Sequence, residues 1–450
     1  MGTVNVPEDA YYGAQTQRAV ENFPISGLSF PLSFIKAIAL IKKHAAQVNQ
    51  DLGLLSPDLA PAVMQAAQEV IDGTFDEQFV VDVFQTGSGT STNMNVNEVI
   101  AGRANEIITG SIGGKSPVHP NDQVNCGQSS NDVIPSAIHI AVLISARNDL
   151  LPSLEKLCQS LQGKSREFAG IAKIGRTHLQ DAVPITLGQE FSGYARQIEL
   201  GIERLKGMEA RLAELALGGT AVGTGMNTHA EFARRVIALI AQETGCPFAE
   251  AQNHFSAQAA QDAAVEASGV LKTIAVSLMK IANDLRWLAS GPRCGIGEII
   301  LPDLQPGSSI MPGKVNPVIP EVVLQAAAQV IGNDAAITLG GQGGNFELNT
   351  MLPLIAHNLL QSIGILASAV NVFAEKCVAG IAANRERCAA TVDSSVALVT
   401  PLVPVIGYDA AAAIAKEARE TGKTVRDIIR AKKIIPEDEL SRLLPDSSCK

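Results

Sequence analysis

The stretch DAAVEASGVLKTIAVSLMKIANDLRWLAS, residues 262–290, decides the fold. Val265, Leu271, Ile274, Leu278, Ile281, Leu285 and Leu288 recur at helical spacing, Ala fills the positions between them, and Gly291-Pro292 supplies the stop. A helix of this length carries more apolar surface than it can bury alone. It therefore needs partners of the same kind. They lie on both sides. Asn131–Gly163 carries Ile134, Ile138, Val142, Leu150, Leu154, Leu157 and Leu161 behind a cap at Ser130 or Asn131, and Pro152 should bend it. Leu187–Leu217 places Ile198, Ile202, Leu205, Met208, Leu212 and Leu215 on one stripe before Gly218-Gly219. Glu321–Ile331 and Met351–Ala374 read as two more helices, and stripes this wide also suit subunit contacts, so a homo-oligomer is expected.

Outside this centre the chain is more broken. Before Ser130 come Pro24, Gly27, Pro31 and a shorter helix through Leu59–Ile71. After about Arg387 come short segments at Asp409–Glu420, Thr424–Ala431 and after Pro436. The expected division is an N-terminal region 1–129, a long-helix centre 130–386 and a small helical C-terminal region 387–450 in a mainly α protein.

Composition narrows the function. A length of 450 residues suggests more than one ordinary domain at roughly 100–200 residues each, and 46% hydrophobic content rules out wholesale disorder. The net charge of −10 offers no broad basic surface for nucleic acid or an anionic membrane, and an aromatic content of 4% leaves few stacking platforms. Lys416, Arg419, Lys423, Arg426, Arg430, Lys432 and Lys433 are interleaved with Glu417, Glu420 and Asp427, which reads as a solvated face. The N-terminus has no secretory or import pattern, so a cytoplasmic location is expected. The uncharged run Leu348–Ala374 is interrupted by His357, Asn358, Gln361, Ser362 and Asn371, as in a buried helix of a soluble bundle. The 7 cysteines, at 126, 158, 246, 294, 377, 388 and 449, lack metal-site spacing. Neither a metal nor a cofactor is expected.

Four polar, Gly-rich islands concentrate groups suited to holding an anion. In Gln85–Glu98, Gly87 and Gly89 let backbone N–H groups converge while Ser88 and Thr90 add hydroxyls. In His119–Asp132, Ser129, Ser130 and Asn131 open a long helix, where free amides stabilise a carboxylate. In Gly175–Pro184, Thr177 and His178 stand just before a helix. In Gly307–Pro317, Ser308, Ser309, Lys314 and Asn316 lie on a loop with glycines at both ends.

These islands, above all GSSIMPGKVNP at 307–317, resemble the fumarase/aspartase superfamily and within it the class II, iron-independent fumarases. The similarity runs from Val6 to the C-terminus with the four islands in the expected order. The resemblance implies a three-domain fold whose central helix bundle forms a tetramer core, active sites shared between subunits, and reversible hydration of fumarate to L-malate as in the tricarboxylic acid cycle. It implies that Ser308 removes the C3 proton of malate and that His178, supported by Glu321, handles the proton of the departing hydroxyl. It also implies that Ser88, Gly89, Thr90, Ser129, Ser130, Asn131, Thr177, Ser309, Lys314, Val315 and Asn316 hold the substrate, and that His119, Pro120, Asn121 and Asp122 form a second dicarboxylate site. A Ser base requires loop amides and Lys314 to stabilise its alkoxide.

Aspartate ammonia-lyases share most of this signature, and His178 separates the branches: hydroxide needs a proton donor to leave, whereas ammonia does not. Aspartases typically carry Gln there, so hydratase is favoured. A catalytically silent relative is the other alternative, opposed by intact His178, Ser308, Lys314 and Asn316. Cys126-Gly127 stands where relatives commonly have Lys-Ser, which removes a cation and a hydroxyl close to the substrate site, so that either affinity suffers or Lys115 compensates. The start at Met1-Gly2 is about a dozen residues shorter than in many relatives, consistent with a truncated start or an absent N-terminal arm.

Overall fold

The computed structural model describes residues 2–444. Cys449 and the last residues of the C-terminal region lie outside the described residues. The chain forms two compact units, one of residues 1–152, 201–275 and 326–368, the other of residues 153–200, 276–325 and 369–450. Each boundary falls inside or at the edge of a long helix.

In the first unit the helix Leu32–Asp51 packs against Ala60–Ile71, Ser130–Ser145 and Phe232–Thr244. Ala60, Ala66 and Ala67 are fully buried, and such small side chains let backbones approach closely around Ile38, Ile41 and Val48. A buried leucine or isoleucine contributes ~1.5–3 kcal/mol to such a core. Near Pro152 the helix is irregular: Ser130–Ser145 runs into a π-helical turn, Ala146–Leu150, before Leu151–Glu167 resumes. Proline cannot donate to the carbonyl four residues back and its ring crowds it, so the turn widens.

The remaining long helices are Leu187–Gly207, Asp262–Leu288, Val318–Gln342 and Leu352–Lys376. Two boundaries differ from the sequence reading. The segment expected to run to Leu217 ends as a long helix at Gly207, with the short helix Glu209–Leu212 following. Val318–Gln342 begins before Glu321 and continues through Gly332, Gly340 and Gly341. At Gly340 and Gly341 an added Cβ would sit 2.8 Å from Ile355 and 2.6 Å from Val265, so glycine there permits close packing rather than ending the helix. Val318–Gln342 and Leu352–Lys376 are long and apolar enough to cross a membrane by length and composition. Their polar side chains are nevertheless used internally: buried Asn333 donates to Gln361 Oε1 and Ser362 Oγ, both at 3.0 Å.

Within the second unit, Val392, Leu398, Leu402, Ile414, Ile428 and Leu440 form a separate small core. Of the cations expected on a solvated face, Lys432 pairs with Glu417 and Arg430 with Glu437 at 2.6 Å, but Arg426 is buried and donates to the Leu444 carbonyl at 2.7 Å. Strands are short, and among the described residues they make four two-stranded sheets.

Candidate active site

In the first unit, the first island is a turn feeding a helix. Gly89 caps Thr90–Thr109 with φ of +73°, a left-handed conformation suited to glycine. At Gly87 an added Cβ would lie 2.0 Å from the Thr350 carbonyl oxygen, so the turn is pinned against residues 350–352. The turn presents a chain of hydroxyls: Ser88 Oγ to Thr90 Oγ1 at 2.7 Å, and Thr90 Oγ1 to Ser130 Oγ at 2.6 Å. The structure thus brings the first and second islands together.

Ser129 caps Ser130–Ser145 in a capping box with Asp132. Fully buried Asp132 also accepts from Gly218 N at 2.9 Å and Thr220 N at 3.0 Å, and Asn131 Nδ2 donates to Ala221 O at 2.8 Å. Burial raises the Asp132 carboxyl against the pull of its three backbone donors and of Lys42. The glycine-rich loop after Leu217 is thereby held against the start of the helix, and Gly127, Gln128, Ser129, Thr220 and Asn227 line a cavity of about 200 Å³. Serine hydroxyls at a helix N-terminus beside such a cavity suit a carboxylate.

His119 Nδ1 accepts from the backbone N–H groups of Asn121 at 3.2 Å and Asp122 at 3.3 Å, and Pro120 opens a short π-helical turn, Pro120–Val124. This local structure leaves the imidazole only partly exposed.

In the second unit, Thr177 and His178 are not directly before a helix. They sit at the end of a β-hairpin, Ala172–Thr177 paired antiparallel with Gln180–Thr186, and the helix starts only at Leu187. The two-residue loop is His178-Leu179, with φ of +56° and +60°. Both residues are non-glycine in the left-handed region, a conformation that costs on the order of 1–2 kcal/mol per residue. Held strain of this kind concentrates at functional sites, and here it carries an exposed imidazole outward. The hairpin is anchored at its base by buried Glu298, which accepts from Arg176 at 2.9 and 2.8 Å and pairs with Lys173 at 3.3 Å. Burial pushes the Glu298 carboxyl up, but the Arg176 and Lys173 cations overcome this and hold it below its usual value.

The fourth island is an exposed loop closed on itself. Ser308 Oγ accepts from the backbone N–H of Met311 at 3.0 Å and of Ile310 at 3.3 Å, and Asn316 Nδ2 donates to the Gly307 carbonyl. Two amides aimed at one serine oxygen form an arrangement that stabilises negative charge on that oxygen. Lys314, Val315, Asn316 and Glu321 line a cavity of about 830 Å³ together with Arg286 and Arg293. Ser309 is exposed, and Glu321 stands in the first turn of Val318–Gln342. Among the described residues no hydrogen bond or ion pair joins Glu321 or Ser308 to His178.

Sequence reading missed two residues that shape the site. Neither Lys42, beside Lys43 in an apolar segment, nor Asp132, just after the helix cap, carries a local mark of burial. The available signal is helical spacing, which puts Lys42 on the face of Ile35, Ile38, Ala45 and Ala46. The cysteines at 126, 158, 246, 294, 377 and 388 are free. Among the described residues no three His, Cys, Asp or Glu side chains cluster as metal ligands.

Comparison with known proteins decides the family. The family described as Lyase matches residues 2–332, and that described as Fumarase C C-terminus matches residues 398–445. A class II fumarate hydratase from Nitrosomonas europaea is 58% identical over 427 residues, covering 95% of this chain and 92% of the relative. The chain belongs to the class II fumarase family. A second class II fumarate hydratase, from Mycobacterium tuberculosis, is 56% identical over 430 residues, 95% of this chain and 89% of that one. The crystal structure of the class II fumarase of Schistosoma mansoni superimposes with a TM-score of 0.95 at 40% identity, covering 99% of this chain and 97% of that chain. The mainly α fumarase fold expected from the sequence is therefore the fold of this chain, and its carbon–oxygen lyase chemistry is that of the family.

Proposed function

We propose that this chain catalyses the reversible hydration of fumarate to L-malate, the reaction of the tricarboxylic acid cycle, and that it does so with its own side chains. The observation that carries the reading is the Ser308 oxygen facing two backbone amides on the loop that also bears Lys314 and Asn316. In the dehydration direction Ser308 removes the C3 proton of malate. The electron pair moves onto the adjacent carboxylate as an aci-carboxylate, which Lys314, Asn316 and loop amides stabilise. The C2–O bond then breaks, and His178, supported by Glu321, protonates the departing hydroxyl as water. Ser88, Gly89, Thr90, Ser129, Ser130, Asn131, Thr177, Ser309 and Val315 position the dicarboxylate, and His119, Pro120, Asn121 and Asp122 offer a second dicarboxylate position.

The protein works as a cytoplasmic homotetramer with sites assembled from several subunits. Two observations support the sharing of sites between subunits. His178 has no bond to Glu321 within one chain, and Val276, Trp287, Val322 and Leu339 are exposed on the long helices, where another subunit would cover them. The division into 1–129, 130–386 and 387–450 belongs to the same reading.

Hydration in D2O tests the mechanism. Anti addition places a single deuteron at C3 in one configuration, read by the C2–C3 proton coupling of the product. A mixture of configurations would refute the assignment of one base and one acid on opposite faces.

A further inference from the structure

The helix Leu32–Asp51 buries an almost unbroken apolar face, yet Lys42 in its middle is 0% exposed. Its Nζ donates to Asn125 Oδ1 at 2.8 Å and Gln128 Oε1 at 2.9 Å. Among the described residues no carboxylate makes an ion pair with it. Burying an ammonium without a carboxylate partner is costly, and an apolar side chain of similar volume would serve the core better. Burial accordingly pushes Lys42 down from 10.5 to about 7, with buried Asp132 opposing the shift.

The two acceptors of Lys42 belong to the turn that leads into Ser129. Asn125 Oδ1 also accepts from Asn93 Nδ2 at 3.2 Å and Asn97 Nδ2 at 3.1 Å, and Asn125 Nδ2 donates to Gln128 O at 3.1 Å. Gln128 Nε2 reaches back to the carbonyls of Val124 and Cys126, both at 3.2 Å. Residues 125–128 are thus tied from within by amides whose common anchor is the Lys42 nitrogen. Directly after them come Ser129, Ser130 and Asn131, whose place on the other side is set by Asp132.

We propose that Lys42 is a positioning residue for the dicarboxylate: by anchoring Asn125 and Gln128 it fixes the turn that aims Ser129, Ser130 and Asn131 at a substrate carboxylate. The inference rests on the reading of Ser129–Asn131 as carboxylate ligands. Lys42 touches no substrate, so its loss acts on binding and leaves the proton-transfer groups on the hairpin and the 307–317 loop as they are.

The test compares the full-length parent, Lys42→Met and Asn131→Ala in steady-state hydration of fumarate, with binding of succinate, which cannot be hydrated, by calorimetry. Lys42→Met is expected to raise KM and weaken succinate about tenfold or more while kcat stays within about threefold. A purely structural role would lower the melting temperature or the active fraction without moving KM. An unchanged KM in Lys42→Met, or a fall in kcat alone, overturns the proposal. If Asn131→Ala raises KM and Lys42→Met does not, the anchoring role fails and the site stands; if neither moves KM, the site assignment itself fails. Should Lys42→Met not fold, Asn125→Ser, which removes one Lys42 acceptor and the tie to Gln128, carries the same expectation, and an unchanged KM there also overturns it.

Discussion

Gly307→Ala probes the loop that carries the base. Gly307 needs no left-handed conformation, so its requirement is purely spatial: an added Cβ would lie 2.2 Å from Lys314 O, 2.6 Å from Asn316 N and 2.9 Å from Val315 Cα. These are backbone atoms of the facing limb and cannot rotate away. Ordinary carbon–oxygen contact begins near ~3.2 Å, so the limbs must separate by about 1 Å. That displacement breaks the Asn316 Nδ2 bond to the Gly307 carbonyl and shifts Ser308 relative to Lys314. A misplacement of ~1 Å at a reacting group costs about 10²-fold in rate, or ~2.7 kcal/mol of transition-state stabilisation. The loop is exposed and contributes little core, so the melting temperature should hardly change. The assay is loss of fumarate absorbance, with melting followed by circular dichroism. Gly313→Ala is the control: φ is +81° with nothing within 4 Å of the added Cβ, so it introduces only backbone strain of about 1 kcal/mol. If Gly307→Ala kept kcat/KM within threefold of the parent, or lost no more than Gly313→Ala, the spatial argument would be refuted.

Ser308→Ala and His178→Asn should each lower kcat by about two orders of magnitude or more with the oligomer intact by light scattering; a near-normal kcat in either removes its assigned role. Glu298→Gln should destabilise the second unit by about 3 kcal/mol, because it leaves Arg176 and Lys173 partly unpaired in a buried setting, and denaturant melts will read this directly. Because the folded protein holds Glu298 below the 4.5 usual for a glutamate, its contribution is present above that pH and is lost as pH falls through the lower folded value. The parent should therefore lose stability on acidification below about pH 4.5 more steeply than Glu298→Gln; parallel acid limbs would contradict the assignment.

The long helices after Ser130 were legible because their buried faces are written in Leu, Ile, Val and Ala at helical spacing; Leu32–Asp51, just as apolar, was missed inside a region read as broken at Pro24, Gly27 and Pro31. Thr90–Thr109 was missed too, since its buried face near the site carries Asn93 and Asn97, whose Nδ2 groups donate to Asn125, distant in sequence. The hairpin Ala172–Thr186 was hidden for a related reason. Lys173 and Arg176 look like surface charges until Glu298 neutralises them, and His178-Leu179 lacks the Asn-Gly or Gly-Gly wording that marks a tight turn. The candidate site was legible as four islands because glycine, hydroxyl and amide residues crowd there more densely than in the other loops. Their arrangement was not, because it depends on buried anchors such as Lys42 and Asp132, whose partners no local pattern reveals.

Hydration is separated from deamination and from silence by incubating the purified chain with fumarate, with and without ammonium, and resolving the products by proton NMR. Fumarate should convert to L-malate in equal amount at a rate ammonium does not change. Aspartate appearing with ammonium, or no turnover in either mixture, would contradict it.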